Sequence, residues 1–149
     1  MTYPKIYLEE VVENQGALFD AFARQHPESS TDDFISAYMT SRTRSEIDNG
    51  QAYVCTMDAD ALMSRFFSEG YRPKSGSALC GFMPDWIGRF YALGQWKLNL
   101  SSSEMARRFP LGFLKLAYPG LHDLELDLAV EKAATSSFSH KNSIQVTNH

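Results

Sequence analysis

The sequence places one imidazole directly beside a carboxylate, at His122-Asp123, just after Pro119 and Gly120. A carboxylate can orient an imidazole and raise its basicity, as a general base requires. Cys55 and Cys80 are the thiols that such a base could activate. Adjacent residues on a helix point about 100° apart, however, so the pair converges poorly on one substrate. The competing expectation is structural: Asp123 caps a helix and His122 packs at the turn. The sequence has no phosphate loop, dinucleotide fingerprint, nucleophile elbow or His-x-x-x-His spacing. His26, His122, His140 and His149 show no ligand spacing, and two cysteines without a C-x-x-C pair are too few for structural zinc. The expectation is therefore no metal and no cofactor.

Binding chemistry leaves a clearer trace. Arg89 and Trp96 lie seven residues apart on one expected helix, beside its main apolar arc. Trp and Arg are enriched at interface hot spots, the first for buried area and the second for planar bidentate bonding. Arg107 and Arg108 extend this basic character on the next helix. The competing expectation is that Trp96 packs beneath a neighbouring helix with Arg89 across it as a cation–π partner. Residues 100–116 also resemble the opening of a helix-turn-helix. A reading helix should present polar groups to base edges, whereas this one offers Leu111, Phe113, Leu114 and Leu116, with Lys115 as its one charge. Nucleic-acid binding would require Arg65, Arg72, Lys74, Arg107 and Arg108 to share a surface.

The elements that must position these residues are mainly helical. Leu8, Val11, Val12, Leu18, Phe19 and Phe22 recur at helical spacing up to Pro27, with Glu9, Glu10 and Glu13 between them on a solvated face. Ser30 and Thr31 offer N-caps to a second helix, with Asp32 and Asp33 at its positive end; its stripe weakens towards Ile47 and stops at Asn49-Gly50. Residues 52–56 read as extended. Asp58 caps a third helix ending at Gly70, and a Lys-, Arg-, Gly- and Ser-rich loop follows through Gly81. In the fourth helix, Pro84 and Asp85 suit the first turn. Its apolar arc runs through Trp86, Ile87, Phe90, Tyr91, Leu93, Gly94 and Leu98. Gly88 and Ala92 on the other side admit a second backbone, which makes this helix central. Ser101-x-x-Glu104 is a capping box. Tyr118-Pro119-Gly120 reads as a turn, and the segment from Leu121 to Ala134 as helix despite its strand-like alternation.

These elements predict an all-α bundle of six or seven helices around an aromatic-rich central helix, with one domain at residues 1–134 and a polar tail at 135–149. A length of 149 residues with 44% hydrophobic content suits one domain and a real core. Neither a membrane-spanning run nor a signal-peptide pattern is present, so a soluble cytoplasmic protein is expected. The net charge of −4 averages a first segment (1–63) at −7, a second (64–115) at +5 and a third (116–149) at −2. The favoured explanation is mutual neutralisation across the fold rather than a docking field.

Residues 81–91, 117–124 and 128–132 together resemble an uncharacterised family of small bacterial helical proteins, over roughly residues 33–134. The arrangement of helix, Leu-Ser-x-x-Glu, short helix, Leu-His and final acidic helix is also similar to companions of ADP-ribosyltransferase-like toxins. That similarity implies an antitoxin-like or regulatory role and carries no catalytic residues. The leading expectation is a non-catalytic protein-interaction module with Arg89, Trp96, Arg107 and Arg108 as contacts and a protein as partner. The alternatives are a small enzyme using His122 and Asp123, and a nucleic-acid-binding protein. Self-association stays open.

Overall fold

The computed structural model describes residues 2–147, with side chains through residue 136. After a 3-10 turn at Lys5–Tyr7, the chain forms α1 (Leu8–Gln25), α2 (Thr31–Met39), α3 (Arg42–Asp48), α4 (Ala52–Cys55) and α5 (Ala59–Ser68). It continues through α6 (Met83–Leu98), α7 (Ser102–Arg108), α8 (Leu111–Leu121) and α9 (Leu126–Thr147). The fold is all-α. Among the described residues there are nine α-helices rather than six or seven, because the expected second helix divides into α2 and α3 and the stretch read as extended forms α4. Among the same residues, no helix is long and apolar enough to cross a membrane.

The caps act where the sequence places them. The side chains of Ser30, Asp58 and Ser101 accept the backbone N–H groups of Asp33, Ala61 and Glu104, and the Glu104 carboxylate returns to the Ser101 N–H. Each satisfies donors that the first helical turn leaves without partners. Two further contacts explain the division between α2 and α3. Ser41 accepts from the Arg44 N–H, and the Glu69 carboxylate accepts from the N–H groups of Arg42 and Thr43 at 3.0 and 2.8 Å. The second stripe therefore restarts at α3 instead of running on to Ile47.

Three local expectations are corrected. Residues 52–56 are helical at α4 rather than extended. Among the described residues no neighbouring strand is offered to this stretch, and a helical turn lets the Val54 and Cys55 N–H groups reach the Gln51 carbonyl. The Tyr118-Pro119-Gly120 turn lies inside α8, which ends only at Leu121. The helix tolerates the missing Pro119 donor and resumes with the His122 N–H on the Tyr118 carbonyl. Finally, the helix expected from Leu121 begins at Leu126. The polar segment 135–149 continues α9 as far as Thr147, while most of its side chains lie outside the described residues.

Helix α6 is central. It buries Trp86, Ile87, Phe90, Tyr91, Gly94 and Gln95, and also Gly88 and Ala92 on the opposite side. Its most extensive packing is against α1. The two helices cross at paired glycines: a Cβ on Gly88 would lie 2.6 Å from the Gln15 carbonyl oxygen and 2.8 Å from the Gly16 Cα. Backbone rather than flexible side chain sets that limit. Replacing Gly88 with Ala should therefore lower the unfolding free energy in urea by about 1–3 kcal/mol, the ordinary cost of overpacking. The same change at Gly112, which has nothing within 4 Å of its added Cβ, should be neutral or slightly stabilising.

Candidate functional site

The charged interior decides which groups remain for chemistry. Arg44 is fully buried. Its Nε donates to Gln15 Oε1 at 2.7 Å, one terminal nitrogen donates to Asp48 Oδ1 at 2.7 Å, and the other to Gln95 Oε1 at 2.6 Å. Asp48 Oδ1 also accepts from Gln95 Nε2, while Oδ2 takes the Ser102 N–H at 2.8 Å. Gln15 Nε2 closes on the Gly88 carbonyl at 2.8 Å. The Tyr3 ring lies 5.8 Å from the guanidinium carbon, and its hydroxyl donates to the Ala92 carbonyl at 2.6 Å. The network thus joins the N-terminal segment, α1, α3, α6 and α7 and turns its polarity inward. Sequence reasoning missed it. The available signal was polar residues at apolar positions: Gln15 follows Val11 by four and precedes Phe19 by four, and Gln95 follows Tyr91 by four.

His122 and Asp123 do meet, with Nε2 3.3 Å from Oδ1, but Asp123 is largely in solvent. His122 Nδ1 lies 2.8 Å from the Tyr118 carbonyl and therefore carries the proton there. The ring stacks on Tyr118 at 4.3 Å. Both ring nitrogens face groups of the protein, on an open surface that leaves a substrate little exclusion from water. Cys80 is exposed and Cys55 is buried. Among the described residues, no group of three or more His, Cys, Asp or Glu side chains could hold a metal ion.

The basic residues are distributed rather than pooled. Arg65 pairs with Glu46 at 2.9 Å, Lys74 with Asp33 at 3.5 Å and Lys115 with Asp32 at 2.5 Å. Lys97 lies 3.3 Å from both Asp127 and Glu131. The positive middle segment thus faces acids of the two flanking segments, as neutralisation across the fold requires. Arg72 donates to the Tyr71 carbonyl.

Of the expected contacts, Arg89 pairs with Asp85 at 2.9 Å instead of crossing Trp96, and the pair lies over Gly16 of α1. Arg89, Leu93 and Trp96 follow one another at i, i+4 and i+7, so they share a face of α6, and all three are partly exposed. Arg89 and Leu93 border a groove of about 350 Å³ whose other wall is Leu8, Glu9, Val12 and Glu13 of α1. Arg107 lines a different cleft, between α2 and α7, and Arg108 lies over the Phe109 ring. The four expected contacts therefore divide between two places. Compared with known proteins, the chain matches no family model, no curated protein and no solved structure.

Burial also shifts several acids. It pushes the Cys55 thiol up from about 9 to about 11, against the opposing pull of Arg44. Burial likewise pushes up the hydroxyls of Tyr3, Tyr38 and Tyr91. The unfolded chain loses these protons first, so the stability they contribute is full below about pH 9 and is lost as pH rises above it. Thermal melting from pH 7 to 11 should show a midpoint falling from about pH 9 upward, with Cys80 alone reacting with a thiol reagent before unfolding. A midpoint constant to pH 11, or two equally reactive thiols in the folded protein, would contradict this account of burial.

Proposed function

We propose that the chain is a non-catalytic protein-interaction module, the antitoxin-like or regulatory partner of a bacterial toxin-like enzyme, and that it engages that partner through the groove between α1 and α6. The observation that carries this reading is the half-exposed Arg89–Leu93–Trp96 face beside Leu8 and Val12. A groove with an apolar floor and anchors on adjacent helices suits a helix-in-groove partner. Glu9 and Glu13 at its rim form no ion pair among the described residues, so the complementary segment is basic and amphipathic. Trp96 supplies area and the Asp85–Arg89 pair fixes one end of the wall. The resemblance to companions of toxin genes supplies the class of partner.

The test compares affinity capture from cells by the native chain, Trp96→Ala, the double variant Glu9→Lys/Glu13→Lys, and His122→Ala. The expected result is one protein with a basic segment, retained equally by the native chain and H122A but at least tenfold less by the other two. Adding the native chain should also lower that protein's enzymatic activity. Equal retention by all four chains, or capture of no protein, contradicts the reading.

A further inference from the structure

We infer that the cleft between α2 and α7 is a binding site for a small amphipathic monocarboxylate, held by Arg107. The cleft has a volume of about 220 Å³, below the roughly 300–1,000 Å³ of pockets that enclose drug-sized ligands, so it suits a small molecule. Its floor is apolar, made by Ile35, Met39 and Tyr91, which are all fully buried or nearly so. The Tyr91 hydroxyl is already committed to the Phe109 carbonyl, to which it donates at 2.6 Å, so it does not compete for a ligand. The mouth is polar, with Ser36, Ser103 and Arg107.

Arg107 forms no ion pair or hydrogen bond among the described residues, and neither does the side-chain hydroxyl of Ser36 or Ser103. Glu104, one turn before Arg107, feels the guanidinium charge, but its carboxylate is held by the Ser101 N–H at 2.9 Å. This sets Arg107 apart from Arg65 and Arg89, whose guanidinium groups are already paired. A planar guanidinium with two flanking hydroxyls matches a carboxylate, which accepts two parallel N–H bonds and further O–H donors. A single cation matches a single negative charge; a phosphomonoester, near −2, would call for a second cation, and Arg108 is turned to the Phe109 ring. The apolar floor then selects acids with a short hydrocarbon or aromatic body. The site is independent of the α1/α6 groove.

The experiment titrates the isotopically labelled chain with phenylacetate while amide resonances are followed by NMR. Phenylacetamide serves as the neutral isostere and phenethylamine as the cation. Saturable shifts are expected at Thr40, Ser103, Ala106 and Arg107 with phenylacetate. Binding should be at least tenfold weaker for the amide, for the amine and for phenylacetate on Arg107→Met. Arg107 is exposed, so this variant should fold, and an unchanged amide spectrum away from the cleft checks that it does. Absence of saturable shifts, equal affinity for acid and amide, or undiminished binding to R107M would overturn the proposal. So would a cleft that ignores all three probes while R107M abolishes capture of a protein partner, since Arg107 would then be a protein contact.

Discussion

A guanidinium taken out of water must find hydrogen bonds and a counter-charge in the protein, and the packing around Arg44 is organised by that requirement. An uncompensated buried charge costs several kcal/mol. Here compensation comes from Gln15, Asp48 and Gln95, on three helices distant in sequence. Asp48 in turn receives the Ser102 N–H at the start of α7. Because each group has a fixed number of donors and acceptors, α1, α3, α6 and α7 can satisfy them together only in one register. Most of the remaining core, from Val11 to Ala133, is apolar and less particular about geometry.

The paired glycines make that register reachable. Gln15 contacts the Gly88 carbonyl through its side chain, while its own carbonyl lies against Gly88. Close approach of α1 and α6 thus brings Gln15 and Gln95 to the same guanidinium. It also exposes what is left outside. With α6 nearly surrounded, its Arg89–Leu93–Trp96 edge remains half covered, and α8 carries Leu116 largely in solvent at 86%. Most polar groups of the interior are occupied with holding helices together, while Glu9, Glu13 and Arg107, which form no ion pair among the described residues, stand at the edges of surface clefts.

Short-range features were the legible part of the sequence. Caps at Ser30, Asp58 and Ser101 act within three residues, and the small face of Gly88 and Ala92 correctly marked α6 as central. The extended reading at residues 52–56 failed because five residues cannot reveal whether a partner strand exists. The Pro119 turn failed because proline limits a helix only through one donor and one clash, which α8 absorbs. Apart from the Arg44–Asp48 pair, four residues apart on α3, the Arg44 network joins residues 29 to 89 positions apart, and no local pattern encodes those longer pairings. The candidate site was legible by half: residue type and spacing indicated Arg89 and Trp96, but the α1 wall and the separate cleft of Arg107 arise from tertiary packing.

The measurement that bears most directly on this account is urea unfolding of Arg44→Met beside Arg24→Ala, whose Asp20 pair is exposed. If the buried guanidinium sets the register of four helices, R44M loses about 3–5 kcal/mol and leaves Asp48 buried without its cation, while R24A changes stability by no more than about 1 kcal/mol. A loss below about 1 kcal/mol in R44M, comparable with R24A, would contradict the central role given to Arg44.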